Sequence, residues 1–157
     1  MTAVPERSHL AVDFVNAVRA PVAPAYVRSV LRKSGNLPEV AARLPAEQAT
    51  VAVRLTDDVE LRRLHREYSG EDSITDVLSF AGTGDHLGDL AISWEAVVRQ
   101  AARHRYTPQG ELALLCVHGL LHLLGWDHTS RAETAEMRRL TTAVLALSEV
   151  ALPPGRL

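Results

Sequence analysis

The chain has 157 residues, of which 46% are hydrophobic, and it carries a formal net charge of −2. This length and hydrophobic content suit one compact domain over residues 1–157 with a substantial core. The single cysteine excludes an internal disulfide, and neither an apolar run of 18 or more residues nor a secretory signal is present, which together predict a cytoplasmic protein without membrane contact. The slight negative charge argues against high-affinity, sequence-blind binding of nucleic acid.

The first half of the chain alternates between strand and helix periodicities. Asp57 and Glu60 have the spacing of a capping box, which predicts the start of a helix that runs to about Tyr68. The other elements expected here are a strand over 10–15, a proline-rich connector over 20–24, a helix over 25–33, a short helix after Pro38 and a strand over 50–55.

The second half predicts two short strands followed by three helices. Ser93, Thr107 and Ser130 are expected N-cap residues, and Pro108 takes the first position of the most apolar helix. This order of elements predicts an α+β domain with one mixed four-stranded sheet and about five to six helices packed against it. The expected segments are strands over 77–81 and 87–92, helices over 94–104 and 108–124, a last helix from Ser130 to about Ser148 with Leu140, Val144 and Leu147 on its apolar side, and an end of the ordered chain at 153–155.

Residues 118–128 read His-Gly-Leu-Leu-His-Leu-Leu-Gly-Trp-Asp-His. His118 and His122 are four residues apart, so they lie on one face of the apolar helix, one turn from each other. Gly125 tolerates the positive φ of a helix end, which allows the chain to turn back and bring His128 to the same point. Three imidazoles with a fourth position open are typical of catalytic zinc. The spacing therefore predicts one zinc ion bound by His118, His122 and His128.

The residue after the first histidine limits the chemistry of this site. The long helix motif of zinc proteases has the same histidine spacing, but it carries a glutamate there as the general base. Here that residue is Gly119, which cannot accept a proton, so a peptidase is disfavoured. Asp127 is the nearest carboxylate in the sequence. It is a candidate catalytic base, and the alternatives are a partner that orients an imidazole or a simple turn residue.

Three segments together resemble the YbeY family of bacterial metal-dependent endoribonucleases. They are residues 118–128, the run Thr-Asp-Val-Leu-Ser-Phe over 75–80 and the run Leu-Gly-Asp-Leu-Ala-Ile-Ser over 87–93. The resemblance implies a single-strand-specific endoribonuclease that matures the 3′ end of 16S ribosomal RNA and takes part in ribosome quality control. It also implies one zinc ion on the three histidines, and ribosomal RNA and the small ribosomal subunit or its assembly factors as partners.

One residue departs from the family pattern. The family usually has Tyr-Arg-Gly-x-Asp before the threonine, whereas residues 68–72 read Tyr-Ser-Gly-Glu-Asp, so Ser69 replaces the arginine. The resemblance implies that this arginine is important for activity, and a hydroxyl cannot neutralise a phosphate as a guanidinium does. Arg66, one helical turn earlier, is a candidate substrate-binding replacement. The alternative is that Arg62, Arg63 and Arg66 form a solvated helix face.

Three functions are compatible with the sequence. The first is a zinc-dependent endoribonuclease, and the second is a metal-dependent hydrolase of another substrate such as peptide. The third is a ribosome-assembly factor whose zinc is largely structural. Gly119 weakens the second, and Ser69 leaves the third open, because loss of the arginine is expected where binding outlasts catalysis.

Overall fold

The computed structural model describes residues 10–45, 47–69 and 76–157. The predicted α+β fold, with one mixed four-stranded sheet and six helices, is confirmed. None of the helices in these ranges is long and apolar enough to cross a membrane. The elements are β1 (Leu10–Asn16), α1 (Pro24–Ser34), α2 (Pro38–Ala41), β2 (Ala49–Thr56), α3 (Asp58–Ser69), β3 (Val77–Ala81), β4 (His86–Ser93), α4 (Trp94–His104), α5 (Pro108–Leu123) and α6 (Arg131–Ala146).

The sheet has the strand order β1-β2-β4-β3. Its first three strands in this order are parallel, and β3 runs antiparallel to β4, as expected for strands joined by a short turn. The register aligns Phe14, Val53, Leu90 and Ser79 across the four strands. Because side chains alternate along a strand, these four residues share one face of the sheet and Phe80 lies on the other.

The hydrophobic core lies on the face that carries Val53 and Leu90. One cluster joins this face to α1 and α5, and a second cluster joins α5 to α1 and α6. Helix α5 is therefore enclosed between the sheet and α6, and its residues 110–117 are all buried. This burial explains why its sequence is apolar nearly all round.

Helix α3 covers part of the opposite face of the sheet. The ring of Tyr68 in α3 meets the ring of Phe80 edge to face, with 5.2 Å between the centroids. At the other end of α3, the Ser93 hydroxyl donates a hydrogen bond of 2.5 Å to the Asp58 carboxylate. The sheet therefore separates α3 from α5.

The predicted helix caps are confirmed. In each case a side-chain oxygen accepts a hydrogen bond from the backbone N–H three residues later, as an N-cap should. The glutamates three residues after Asp57 and Ser130 do not complete capping boxes, however: Glu60 pairs with Arg54, and Glu133 accepts from the Thr129 hydroxyl. The four acceptors are Asp57, Ser93, Thr107 and Ser130, at distances of 2.8, 3.2, 3.1 and 3.1 Å.

Two expectations for the end of the chain are wrong. Helix α6 ends at Ala146, so Leu147 is 41% exposed and Leu145 is buried with Leu140 and Val144 instead. The helix stops because the chain reverses, with a positive φ at Glu149 and a hydrogen bond from the N–H of Val150 to the carbonyl of Leu145. Order also continues past residues 153–155, because Arg156 pairs with a buried carboxylate of α5.

Candidate metal centre

The end of α5 reverses the chain toward its own last turns. Gly125 has a φ of +99°, as the sequence predicts. Its N–H bonds to the carbonyl of His122, and the N–H of Trp126 bonds to the carbonyl of Leu121, both at 3.0 Å. These two bonds define a Schellman motif, which closes a helix with a left-handed residue. Trp126 then packs into the core, so the following residues return beside α5.

The three histidines meet at this reversal. One ring nitrogen from each of His118, His122 and His128 lies within 4.8 Å of the other two. The Nε2 atoms of His118 and His122 are 3.1 Å apart. Ligand nitrogens at zinc-binding distance in a tetrahedron are roughly 3.3 Å apart, so the helical pair already has the separation that a shared ion requires. The residues present therefore fit a zinc ion.

The protonation state of the pair also suits metal binding. Burial, with the neighbouring imidazoles and Arg156, lowers the pKa of His118 to about 4. Burial and His128 also lower the pKa of His122, against an opposing effect of Asp127. Both rings of α5 are thus neutral at pH 7. Neutral imidazole is the form that offers a lone pair to a metal.

The histidines line an open cavity of about 440 Å³. Helix α5 forms its floor, β3 one wall, and residues 156 and 157 another. Of the described residues, two with charged side chains line it beside the histidines, Asp76 and Arg156. The remaining lining residues are Val77, Ser79, Leu114, Leu115 and Leu157.

Gly119 marks the closest approach between α5 and the sheet. A Cβ atom at this position would stand 2.7 Å from Cδ2 of Leu90 and 3.0 Å from its Cδ1. Contacts this short between carbon atoms are repulsive, and Leu90 is only 1% exposed. The glutamate of the zinc-protease motif therefore has no room in this fold. Close packing against Leu90 thus explains why the glutamate of the protease motif is absent at this position.

Of the two other predicted site residues, Asp127 lies next to the third histidine and Arg66 lies away from the cavity. Asp127 is exposed, and its Oδ1 accepts a hydrogen bond of 2.7 Å from the backbone N–H of His128, which holds the loop that carries the third imidazole. Arg66 is exposed on α3, across the sheet from α5, and does not line the histidine cavity. Thr75 and residues 70–72 lie outside the described residues.

Three residues near the site were missed by the sequence analysis. Asp76 lies within the recognised run over 75–80 but was not singled out. Glu111 was detectable, because a carboxylate in an otherwise apolar helix must find a partner when it is buried. Arg156 has no local signal, since it reaches the site only through a contact with Glu111, 45 residues earlier in the chain.

Comparison with known proteins agrees with this geometry. The sequence profile of the family described as "Endoribonuclease YbeY" matches residues 22–149. A relative of that name from a Roseiflexus species is 44% identical over 138 residues, which cover 77% of this chain and 84% of the relative. Another from Chloroflexus aurantiacus is 44% identical over 124 residues, covering 68% of this chain and 80% of the relative.

A solved structure supports the fold. The solution structure of a protein from Thermotoga maritima superposes with a TM-score of 0.58 and 21% identity, and the match covers 92% of this chain and 99% of that one. Because its identity is low, this likeness supports the architecture alone. The family profile covers the three histidines, and two relatives that carry the family name are 44% identical to this chain over most of their length, so the chain belongs to the endoribonuclease YbeY family.

Proposed function

We propose that this chain is a zinc-dependent, single-strand-specific endoribonuclease that acts in ribosomal RNA processing, at the 3′ end of the 16S RNA, and in ribosome quality control. The observation that carries the proposal is the convergence of His118, His122 and His128 in one open cavity. Membership of the YbeY family supplies the reaction class, since the relatives are named as endoribonucleases.

In this proposal the three imidazoles hold one zinc ion in the cavity. When bound, zinc supplies Lewis-acid polarisation of a phosphoryl oxygen, which lowers the barrier to cleavage of a phosphodiester. His118 and His122 present neutral rings from a rigid, buried helix, so two of the three ligands need no rearrangement. His128 comes from the loop after the helix and completes the ligand set.

Asp127 has two proposed roles. Its Oδ1 accepts the N–H of His128, which supports a role in positioning the loop ligand. Within the described residues its other oxygen has no hydrogen-bond partner, and we propose that oxygen as the proton acceptor during cleavage. The two roles make different predictions for Asp127→Asn, because an amide keeps an acceptor oxygen but cannot take up a proton.

Single-stranded RNA is the proposed substrate, with ribosomal RNA of the small subunit and its assembly factors as partners in the cytoplasm. An open cavity beside a metal admits a flexible backbone more easily than a stiff duplex. We propose Arg66 as a contact to the RNA beyond the cavity, since its exposed position across the sheet suits a phosphate several nucleotides away along an extended strand.

Different residues bear on the two alternative functions, a peptidase and a ribosome-assembly factor. A peptidase is disfavoured because the position of its general base is Gly119, packed against Leu90. An assembly factor with vestigial cleavage remains an alternative because of Ser69, where the resemblance implies an arginine. These readings differ in whether the wild-type protein cuts RNA at all.

The test is cleavage of an end-labelled single strand that spans the 3′ end of 16S RNA, beside the same strand annealed to its complement. The zinc-loaded wild type should cut the single strand, leave the duplex intact and lose activity in His118→Ala. No cleavage by the wild type, with recovery in Ser69→Arg, would support the assembly factor. Cleavage that persists in His118→Ala would overturn the proposal.

A further inference from the structure

Arg156 is the one cationic side chain, among the described residues, that lines the histidine cavity. It follows the last helix at a distance in sequence from every recognised motif, and it lies beyond residues 22–149 that match the family profile. Its position in the cavity is therefore not accounted for by the family match.

A buried carboxylate fixes the guanidinium. Glu111, in the first turn of α5, has no exposed surface. It accepts a hydrogen bond of 3.0 Å from Nε of Arg156 and a second one from Nη2, while the Tyr106 hydroxyl also donates to it. Two parallel N–H bonds to one carboxylate hold an arginine in a defined plane. The side chain is accordingly 16% exposed, although it lies near the end of the sequence.

The fixed guanidinium keeps donors for a further partner. Arginine has five N–H bonds, and two of them are directed at Glu111. The other three have no acceptor among the described residues. Since Glu111 is fully buried behind the guanidinium, the pair presents its positive end to the cavity.

We propose that Arg156 binds a phosphate of the RNA strand held at the three histidines, as a substrate-binding residue of this cavity. The inference rests on the proposed function, because it takes RNA as the ligand. A phosphate oxygen is the acceptor that suits the planar N–H donors of arginine, and a guanidinium already held by Glu111 loses little conformational freedom when it binds. The positive end of the pair and the bound metal would face the same phosphodiester.

The test is binding of a fluorescent single-stranded RNA to the protein in chelator, measured by anisotropy at two salt concentrations. Arg156→Gln should weaken binding by roughly 10- to 100-fold, which corresponds to one charge-assisted hydrogen-bond contact. It should also lower the slope of log affinity against log salt by about 0.7, the value for one phosphate contact to a single strand. Arg156→Lys should retain the slope and recover part of the affinity.

Two further variants protect the test from a folding artefact. Glu111→Gln combined with Arg156→Gln removes both charges of the buried pair, and it should fold and show the same loss of RNA affinity. Arg139→Gln is the matched control, because Arg139 is a 53% exposed arginine that pairs with Glu136 and Glu39 outside the cavity. It should bind RNA as the wild type does.

Wild-type affinity and an unchanged salt slope in the folded double variant would overturn the role of Arg156. If the wild type still cleaves RNA in that case, the proposed function stands although Arg156 does not bind the RNA. If the wild type neither binds nor cleaves single-stranded RNA under any of these conditions, the proposed function fails and the inference fails with it.

Discussion

Replacement of Gly119 by alanine tests how closely α5 approaches the sheet beside the metal ligands. In an ordinary helix interior, alanine is more stable than glycine by about 1 kcal/mol. Here the added Cβ would stand 2.7 Å from a methyl carbon of Leu90, whereas carbon atoms pack at about 3.5 to 4.0 Å. Overpacking of a buried site costs roughly 1 to 3 kcal/mol, so we expect Gly119→Ala to destabilise the protein by about 1 kcal/mol.

The structure also predicts a change of sign. Leu90→Ala removes both methyl carbons that the new Cβ would meet, at a cost of about 2 to 5 kcal/mol for the cavity. In that background, Gly119→Ala should stabilise by about 1 kcal/mol, because only the helix propensity remains. The coupling between the two substitutions is then about 2 kcal/mol. Urea unfolding of the metal-free wild type, the two single variants and the double variant measures it.

A stabilising effect of Gly119→Ala in the wild-type background, equal to its effect with Leu90→Ala, would refute this reasoning. It would mean that α5 can move away from β4 without cost, and that packing does not explain why this position lacks a glutamate.

Three other predictions follow from the contacts around the site. Because the folded pKa of His118, about 4, lies below its unfolded value of 6.5, the unfolded chain binds the extra proton. The free energy of unfolding of the metal-free protein should therefore fall by up to roughly 3 kcal/mol as pH falls from 6.5 to 4, and His118→Gln should remove that part of the pH dependence. Identical pH profiles of the wild type and His118→Gln in urea unfolding would contradict this prediction. A hydrogen bond from Arg99 lowers the pKa of Asp58, partial burial opposes this shift, and a hydrogen bond from Ser93 adds to it. The Asp58 carboxylate therefore stabilises the fold above its unfolded pKa, and this stabilisation is lost as pH falls through the folded pKa. Arg99→Met should cost only about 0.5 kcal/mol at pH 7, since Arg99 is half exposed, and a loss several times larger in thermal melts would show that the pair is not screened as assumed. If Asp127 is the proton acceptor, Asp127→Asn should keep the zinc affinity of the wild type but abolish RNA cleavage. Asp127→Ala should lower zinc affinity by about 10-fold, because the loop loses the hydrogen bond to the N–H of His128. Equal cleavage by the wild type and Asp127→Asn would leave Asp127 only the role of positioning His128.

The convergence of the three histidines was predictable because local rules place them. His118 and His122 share a helix face through the four-residue spacing, and Gly125 supplies the reversal that returns His128. Each of these steps depends on residues within a few positions of one another. The caps at Ser93 and Thr107 were predictable for the same reason.

The charged groups around the ligands were not predictable, because they depend on contacts between distant parts of the chain. Arg156 reaches the cavity only because Glu111 is buried in α5, and Arg66 lies across the sheet because α3 packs on the opposite face. Periodicity assigns residues to helices but does not say which face of the sheet a helix covers. Leu147 was misplaced because α6 ends at Ala146, and the reversal that follows uses a non-glycine residue with positive φ, Glu149, for which the sequence carries no signal.

The replacement at Ser69 raised the question of which residue supplies positive charge to the RNA. The structure offers Arg156 within the cavity itself, whereas Arg66 lies beyond it. Placing Ser69→Arg in the Arg156→Gln background would show whether an arginine at residue 69 can supply a phosphate contact in place of Arg156, since RNA affinity and the salt slope should then return toward their wild-type values.

The most direct measurement is a titration of the chelated, dialysed protein with zinc, in which cleavage of the single-stranded 16S RNA fragment is followed at each step. Cleavage should be absent without metal, rise linearly and reach its plateau at one zinc ion per chain, and it should stay absent at every zinc concentration in His122→Ala. Cleavage without metal, or an unaltered titration in His122→Ala, would contradict the account.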